Sequence, residues 1–438
     1  MTIWKLMRAT ACIAGTAVAA WAQRPGGTQA PATVAAPRAD TVRMTRRQAI
    51  RAALLTNPGL EVARQQTAQV RAQRIEGLGV PDPVVSYSHD DAPGLTRLGA
   101  ADSRNLNVGL DVPFPDKFRL RQAIGAANVR SSEAQFLLAQ QTLAADAGRA
   151  YDAVLVTRLR RRDLTESRDL AQQFLDRTQA RFNAGTVPRL DVIRAQTDLA
   201  QAVNDLIANA RDVANAEASM NRLLGRPLGA PFEAADSLTV PAMLGDLASY
   251  EQRAQTSRPE LVDLAAQQRA ARANSSLVRE QAFLPDIAIS ANKDYASDAG
   301  TLYSAGLSLP IPLFFWNHTR GEFAETRHRE LELAAAVRDM QAAVGEDVRN
   351  AWATADAAIR QAAFLRDQLL PSAQEAYRVA TVSYSLGGLS ALDVLDARRT
   401  LLDAQAQYAE AVAAANSARS DLERAAGTPL ASLSGSNP

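Results

Sequence analysis

The chain has 438 residues with 48 basic and 47 acidic side chains, a formal net charge of +1 that leaves no electrostatic footprint for nucleic acid. Cys12 is the only cysteine, so disulfides, thiol catalysis and thiolate metal sites are excluded once the first residues are removed. Arginine carries almost all the positive charge, because Lys5, Lys117 and Lys293 are the only lysines.

Residues 1–22 predict an export signal peptide. Lys5 and Arg8 open it without an acid, 9–20 form a short apolar run, and Ala20-Trp21-Ala22 supplies small residues at a cleavage point before Gln23. The apolar run falls short of the roughly 20 residues that span a bilayer. An acylated cysteine would follow such a run, whereas Cys12 sits near its beginning. Residues 23–43, rich in Pro, Gly, Ala and Thr, predict a flexible leader. No later stretch is a candidate membrane helix, so any membrane crossing has to be a closed β-barrel, because lipid cannot satisfy an open sheet edge.

The first structured unit, 44–228, predicts a helix over 58–79, strands over 83–90 and 104–112, a very long helix over 116–183, and a second long helix over 189–224. Between Pro115 and Pro188 there is no proline, and Ala, Leu, Gln and Arg fill the space. At 1.5 Å per residue that helix would be roughly 100 Å long, too long to be covered on all sides by its own chain. Scattered alanines let such helices approach closely, so coiled-coil packing is expected.

After a linker at 229–244, the plan returns over 245–430, followed by a tail at 431–438. Phe182, Gly185, Asp191 and Val192 answer Tyr384, Gly387, Asp393 and Val394 at one constant offset, 202 positions (387 − 185). The offset persists at Ala195/Ala397, Leu199/Leu401, Gly225/Gly427 and Pro227/Pro429. Two tandem repeats therefore set the fold expectation. The second unit places strands over 286–294 and 301–309, a hairpin tip near 387 matching the first near 185, and a kink at Pro371.

The strands alternate. Leu106, Val108, Leu110 and Val112 share one face, with Asn105, Asn107 and Asp111 on the other; Tyr303, Ala305, Leu307 and Leu309 oppose Ser304, Gly306 and Ser308. Such period-2 patterning fits a membrane barrel strand, and it fits an ordinary antiparallel hairpin capping a soluble helical domain equally well. Four strands per chain cannot close a barrel, so the membrane reading requires two, three or four subunits.

The two turn motifs, Phe182…Gly185…Asp191-Val192-Ile193-Arg194-Ala195 and Tyr384…Gly387…Asp393-Val394-Leu395-Asp396-Ala397, resemble the TolC family of outer-membrane factors. The resemblance covers about 44–430. It implies a mainly α fold with a small β part: a homotrimer with a twelve-stranded barrel in the cell outer membrane, built from four strands per chain. A helical coiled-coil tunnel would extend into the periplasm and meet an adaptor (membrane fusion) protein and an inner-membrane pump. The function implied is the passive exit duct of a tripartite efflux pump. A type I secretion duct for polypeptides and a soluble periplasmic coiled-coil scaffold are the alternatives. The run Leu309-Pro310-Ile311-Pro312-Leu313-Phe314 looks like the CzcC-like heavy-metal-efflux branch, although Phe315-Trp316-Asn317-His318 departs from that branch's usual Asp-Arg-Asn-Gln-Gly.

In that family, acids at the second hairpin tip form a constricting ring, and Asp393 and Asp396 occupy the matching positions. The same residues also suit helix capping, since Ser390-Ala391-Leu392-Asp393 has capping-box spacing. Gly185, Gly387 and Gly388 permit tight turns. With Thr186, Val187, Leu386 and Leu389 they make up the surface that an adaptor would touch. His89, His318 and His328 share no i, i+4 spacing, so neither a metal nor another cofactor is expected. No phosphate loop, nucleophile elbow or carboxylate with a partner base is present, and no enzyme activity is expected.

Overall fold

The computed structural model describes residues 41–77, 79, 81–90, 103–284, 286–296, 300–310 and 315–427. The signal peptide, most of the leader, the tail, the junction residues 311–314 and the side chain of His318 lie outside the described residues.

Helices dominate. Pro58–Glu76 (α2) follows a short helix, Arg46–Thr56 (α1), and the strands Val84–Asp90 (β2) and Ser103–Val112 (β3) come next. The 69-residue helix Pro115–Asn183 (α3) and the 35-residue helix Arg189–Leu223 (α4) complete the first half. Leu247–Ser257 (α5), Pro259–Phe283 (α6), Ile287–Ala296 (β5), Gly300–Ser308 (β6), Phe315–Phe364 (α7), Leu370–Ser385 (α8) and Ala391–Ala425 (α9) follow in the same order. Proline at the first helical turn starts α2, α3 and α6, where its missing N–H would have had no partner anyway.

At Pro371 the disturbance takes the form of a π turn, Leu365–Leu369, between α7 and α8. The proline lacks an N–H and crowds the carbonyl of the preceding turn, and a wider turn relieves both.

Sequence pattern missed four elements. Val42–Met44 (β1) pairs in parallel with Phe232–Ala234 (β4), bringing the chain before α1 against the segment after α4. The 11-residue α1 and α5 are the other two. A capping box of Thr45 and Gln48 starts α1. Three-residue strands carry too little periodicity to be seen alone. They exist here because a core forms around them: Ile50, Leu60, Leu143, Tyr151, Met220 and Phe232 are all buried together. Arg46 fastens this core sideways, its guanidinium 3.1 Å from Asp152 in α3 and 2.9 Å from Ser420 in α9.

The four longer strands make one antiparallel sheet in the order β2-β3-β5-β6. Register places Val85, Val108, Ala291 and Ala305 in one cross-strand row, and Ser86, Asn107, Asn292 and Ser304 in the next. The apolar face is open: Val85, Tyr303 and Leu307 are each more than 60% exposed. On the polar face Asn105 bonds Asp294 and Asn107 bonds Asn292.

Lys117, in the first turn of α3, is buried and pairs with Asp286 at 2.6 Å, tying the long helix to the foot of β5. Asp286 is itself partly exposed. Removing the acid strands a buried cation, whereas removing the cation leaves an acid that water can reach. Asp286→Asn is therefore expected to lower the unfolding free energy by more than Lys117→Met, roughly 2 kcal/mol against 1 or less. Equilibrium unfolding of both variants checks the order.

Candidate functional site

Both helical hairpins turn through the same device. Gly185 and Gly387 take φ of +72° and +83°, a conformation that side-chain-bearing residues resist. At the first tip the Gly185 N–H donates to Phe182 O at 2.9 Å and the Thr186 N–H to Arg181 O at 3.0 Å. At the second, the Gly387 N–H donates to Tyr384 O at 3.0 Å and the Gly388 N–H to Ser383 O at 2.9 Å. These paired bonds satisfy the last carbonyls of α3 and α8. Val187 and Pro188 then lead into α4, and Leu389 and Ser390 into α9. Leu386, at 82% exposure, is the most open large apolar residue at either tip.

Asp393 is committed to capping. The Ser390 N–H and hydroxyl donate to its carboxylate at 2.8 and 2.7 Å, and the Asp393 N–H donates to Ser390 Oγ at 3.4 Å. The Ser390 hydroxyl, then its N–H, hold the Asp393 carboxyl below its ordinary value of 3.8. A depressed carboxyl pKa contributes stability above the ordinary value, lost as pH falls through the lower folded one. The cap and its negative charge therefore persist throughout mildly acidic conditions.

Asp396, one turn further, makes no such cap. It lines a groove of about 650 Å³ between α3, α4 and α9, together with Asp163, Asp205 and Asp403. Burial pushes the Asp163 carboxyl above its ordinary value, against the pull of Arg162.

The second hairpin is fixed to the first beneath the tips. Arg398 in α9 is buried, donating to Ser167 O in α3 at 3.0 Å and pairing with Asp198 in α4. Nearer the tips, the Arg181 guanidinium lies 4.6 Å from the Tyr384 ring and donates to Tyr384 O at 3.1 Å. Phe174 stacks obliquely on the same ring at 5.4 Å. Sequence reading missed Arg181, Asp198, Tyr384 and Arg398 as partners. A signal was nonetheless present, because the offset of the two units matches Arg398 with Gln196, Asp198 with Thr400, and Asp396 with Arg194. The units part company where the hairpins meet.

The family model for outer membrane efflux proteins matches residues 45–226 and again 251–428. This chain belongs to the outer membrane efflux protein family. The cobalt-zinc-cadmium resistance protein CzcC of Cupriavidus metallidurans is 23% identical over 400 residues, 85% of this chain and 87% of the relative. The pyoverdine export outer membrane protein OpmQ of Pseudomonas aeruginosa is 25% identical over 331 residues, 73% of this chain and 68% of the relative. Among solved structures, CusC shares the fold at a TM-score of 0.75 and 20% identity, covering 94% of this chain and 99% of the other. As an outer membrane efflux protein, the chain resides in the cell outer membrane and extends into the periplasm. No described helix is long and apolar enough to cross a membrane.

Proposed function

We propose that this outer membrane efflux protein is the passive exit duct of a tripartite efflux pump. Three copies join their sheets into a twelve-stranded barrel, and their helices continue as a tunnel across the periplasm. The observation that carries this reading is the four-stranded sheet with an open apolar face. One chain leaves β2 and β6 as bare edges, which lipid does not tolerate, so several copies must close the barrel. The repeats, 44–228 and 245–430 about the 229–244 linker, would then give each chain two hairpin tips. Gly185, Thr186, Val187, Leu386, Gly387, Gly388 and Leu389 dock the adaptor, and the exposure of Leu386 supports this. Energy comes from the inner-membrane pump.

Asp393 and Asp396 from three copies form an acidic ring at the tunnel's inner end. Capping and gating coexist, since the Ser390 bonds keep Asp393 ionised. A cation-attracting ring suits heavy-metal cations as cargo, in keeping with the resistance named for CzcC.

Planar-bilayer recording of the purified full chain tests the reading. Multivalent cations are expected to block the wild-type channel, and to lose that block when Asp393→Asn and Asp396→Asn are combined. Unchanged block in an assembled double variant would remove the gate. A chain released by osmotic shock rather than sedimenting with outer membranes would remove the duct.

A further inference from the structure

The charges of the sheet are sorted by face. Alternation along each strand and the cross-strand register put Arg104 and Lys293 on the apolar face, whereas Asp111 and Asp294 lie on the polar face with Asn105 and Asn107. Every charge described on the apolar face is therefore a base. Their height is also sorted. The row farthest from the helices holds His89, Arg104, Tyr295 and Thr301; the next holds Tyr87, Leu106, Lys293 and Tyr303. Below come only apolar rows, from Val85, Val108, Ala291 and Ala305 down to Val112 and Ile287. Tyr87, Tyr295 and Tyr303 are each close to half exposed or more, and Lys293 Nζ lies 5.8 Å from the Tyr303 ring.

From Val112 to Arg104 is eight residues, roughly 26 Å of strand, or about 20 Å of height at a barrel's usual tilt. That is close to the height of the apolar band of a membrane barrel, about 25 Å. Bases and tyrosines thus sit where hydrocarbon gives way to headgroups. Tyrosine suits this level with one apolar and one polar end, and a long basic side chain lays its stem on the sheet while its charge reaches outward.

Desolvation alone would favour uncharged residues on this face, and nothing in folding requires that its charges share one sign. We propose that the band made by Arg104 and Lys293, flanked by Tyr87, Tyr295 and Tyr303, binds phosphate-bearing headgroups of lipid in the leaflet on the loop side of the barrel. The inference rests on the barrel reading of the sheet. Cations facing phosphate supply the complementarity, and the acids Asp111 and Asp294 are kept on the opposite face, where they cannot repel it. The lumen stays acidic-polar while the outer wall is basic.

The test uses the purified full chain in neutral detergent, with diphosphoryl lipid A as probe and retained lipid counted by native mass spectrometry. Wild type is expected to retain it. Arg104→Gln and Lys293→Gln should each weaken retention about 5-fold, and together roughly 30-fold. The charge-conserving pair Arg104→Lys with Lys293→Arg should retain the lipid, which guards against a folding defect. Lipid A stripped of its phosphates should bind neither protein, and inorganic phosphate at the same concentration should displace nothing. Equal retention by the double Gln variant, equal retention of the stripped lipid, or displacement by inorganic phosphate each overturns the proposal. Insertion of wild type into neutral phosphatidylcholine vesicles is measured alongside. If the chain fails to insert there, the barrel reading falls and this inference with it; if it inserts and the lipid arms fail, only this inference falls.

Discussion

Asp198→Ala should be the most damaging single change near the hairpin tips, costing roughly 3 kcal/mol, the low end for a broken buried pair because Asp198 is one-fifth exposed. The reason lies with its partner. Arg398 is 8% exposed at its side chain and its other contact, Ser167 O, cannot neutralise it. Arg398→Met removes the charge and keeps the bulk, so it should cost about 1 kcal/mol or less. The double variant Asp198→Ala with Arg398→Met should recover most of the loss. Denaturant titration of the four proteins in detergent measures the cycle, and equal losses for the two single changes would show that Arg398 is not stranded when Asp198 is absent. Because the pair joins α4 to α9 while Ser167 brings in α3, the same loss should loosen one hairpin from the other. Single-channel recordings of Asp198→Ala are accordingly expected to show longer open times than wild type.

The second large effect belongs to the sheet. Val108 sits in the middle row of the apolar face, flanked by Val85 and Ala291, two rows below Arg104. Val108→Arg should impair insertion by roughly 2–4 kcal/mol if that row lies near mid-membrane, and Leu307→Arg, one row nearer the helices, should act in the same sense. Asn107→Arg, adjacent in sequence but on the face of Asn292, should insert normally. Urea titration against lipid vesicles reads the difference. Equal tolerance at Val108 and Asn107 would mean that the sheet never meets lipid, whatever the family.

Lys293 already shows that the same face accepts a cation at a different height. It stands one row from Val108, on the loop side, with a flexible stem and the Tyr303 ring beside it. Loss of insertion by Val108→Arg beside the native Lys293 would show that position along the strand decides whether a cation on this face is tolerated.

Some of this protein was legible from sequence alone. Helix length was, because absence of proline over 116–182 and a run of strong helix formers are local facts, and α3 indeed runs Pro115–Asn183. Strand faces were, because alternation is also local, and the register keeps Leu106, Val108, Leu110 and Val112 together. The tip glycines were, since a constant offset picks out Gly185 and Gly387 and a positive φ explains both. Capping by Asp393 was written in Ser390-Ala391-Leu392-Asp393, three residues apart.

Tertiary structure decided the rest, and the dividing line is distance along the chain. β1 and β4 are strands only because each finds the other some 190 residues away and both cover Tyr151 and its neighbours. Burial of Arg398 depends on Asp198 and Ser167 arriving from two other helices; the offset singles out Arg398 and Asp198 as departures from the repeat, but only the fold brings them together. The sorting of Arg104 and Lys293 into adjacent rows needs the β3–β5 register, which joins hairpins that lie in different halves of the chain. Local propensity sets which residues turn, coil or alternate; which charges end up paired, and which face they share, is set by the contacts that only a closed fold brings together.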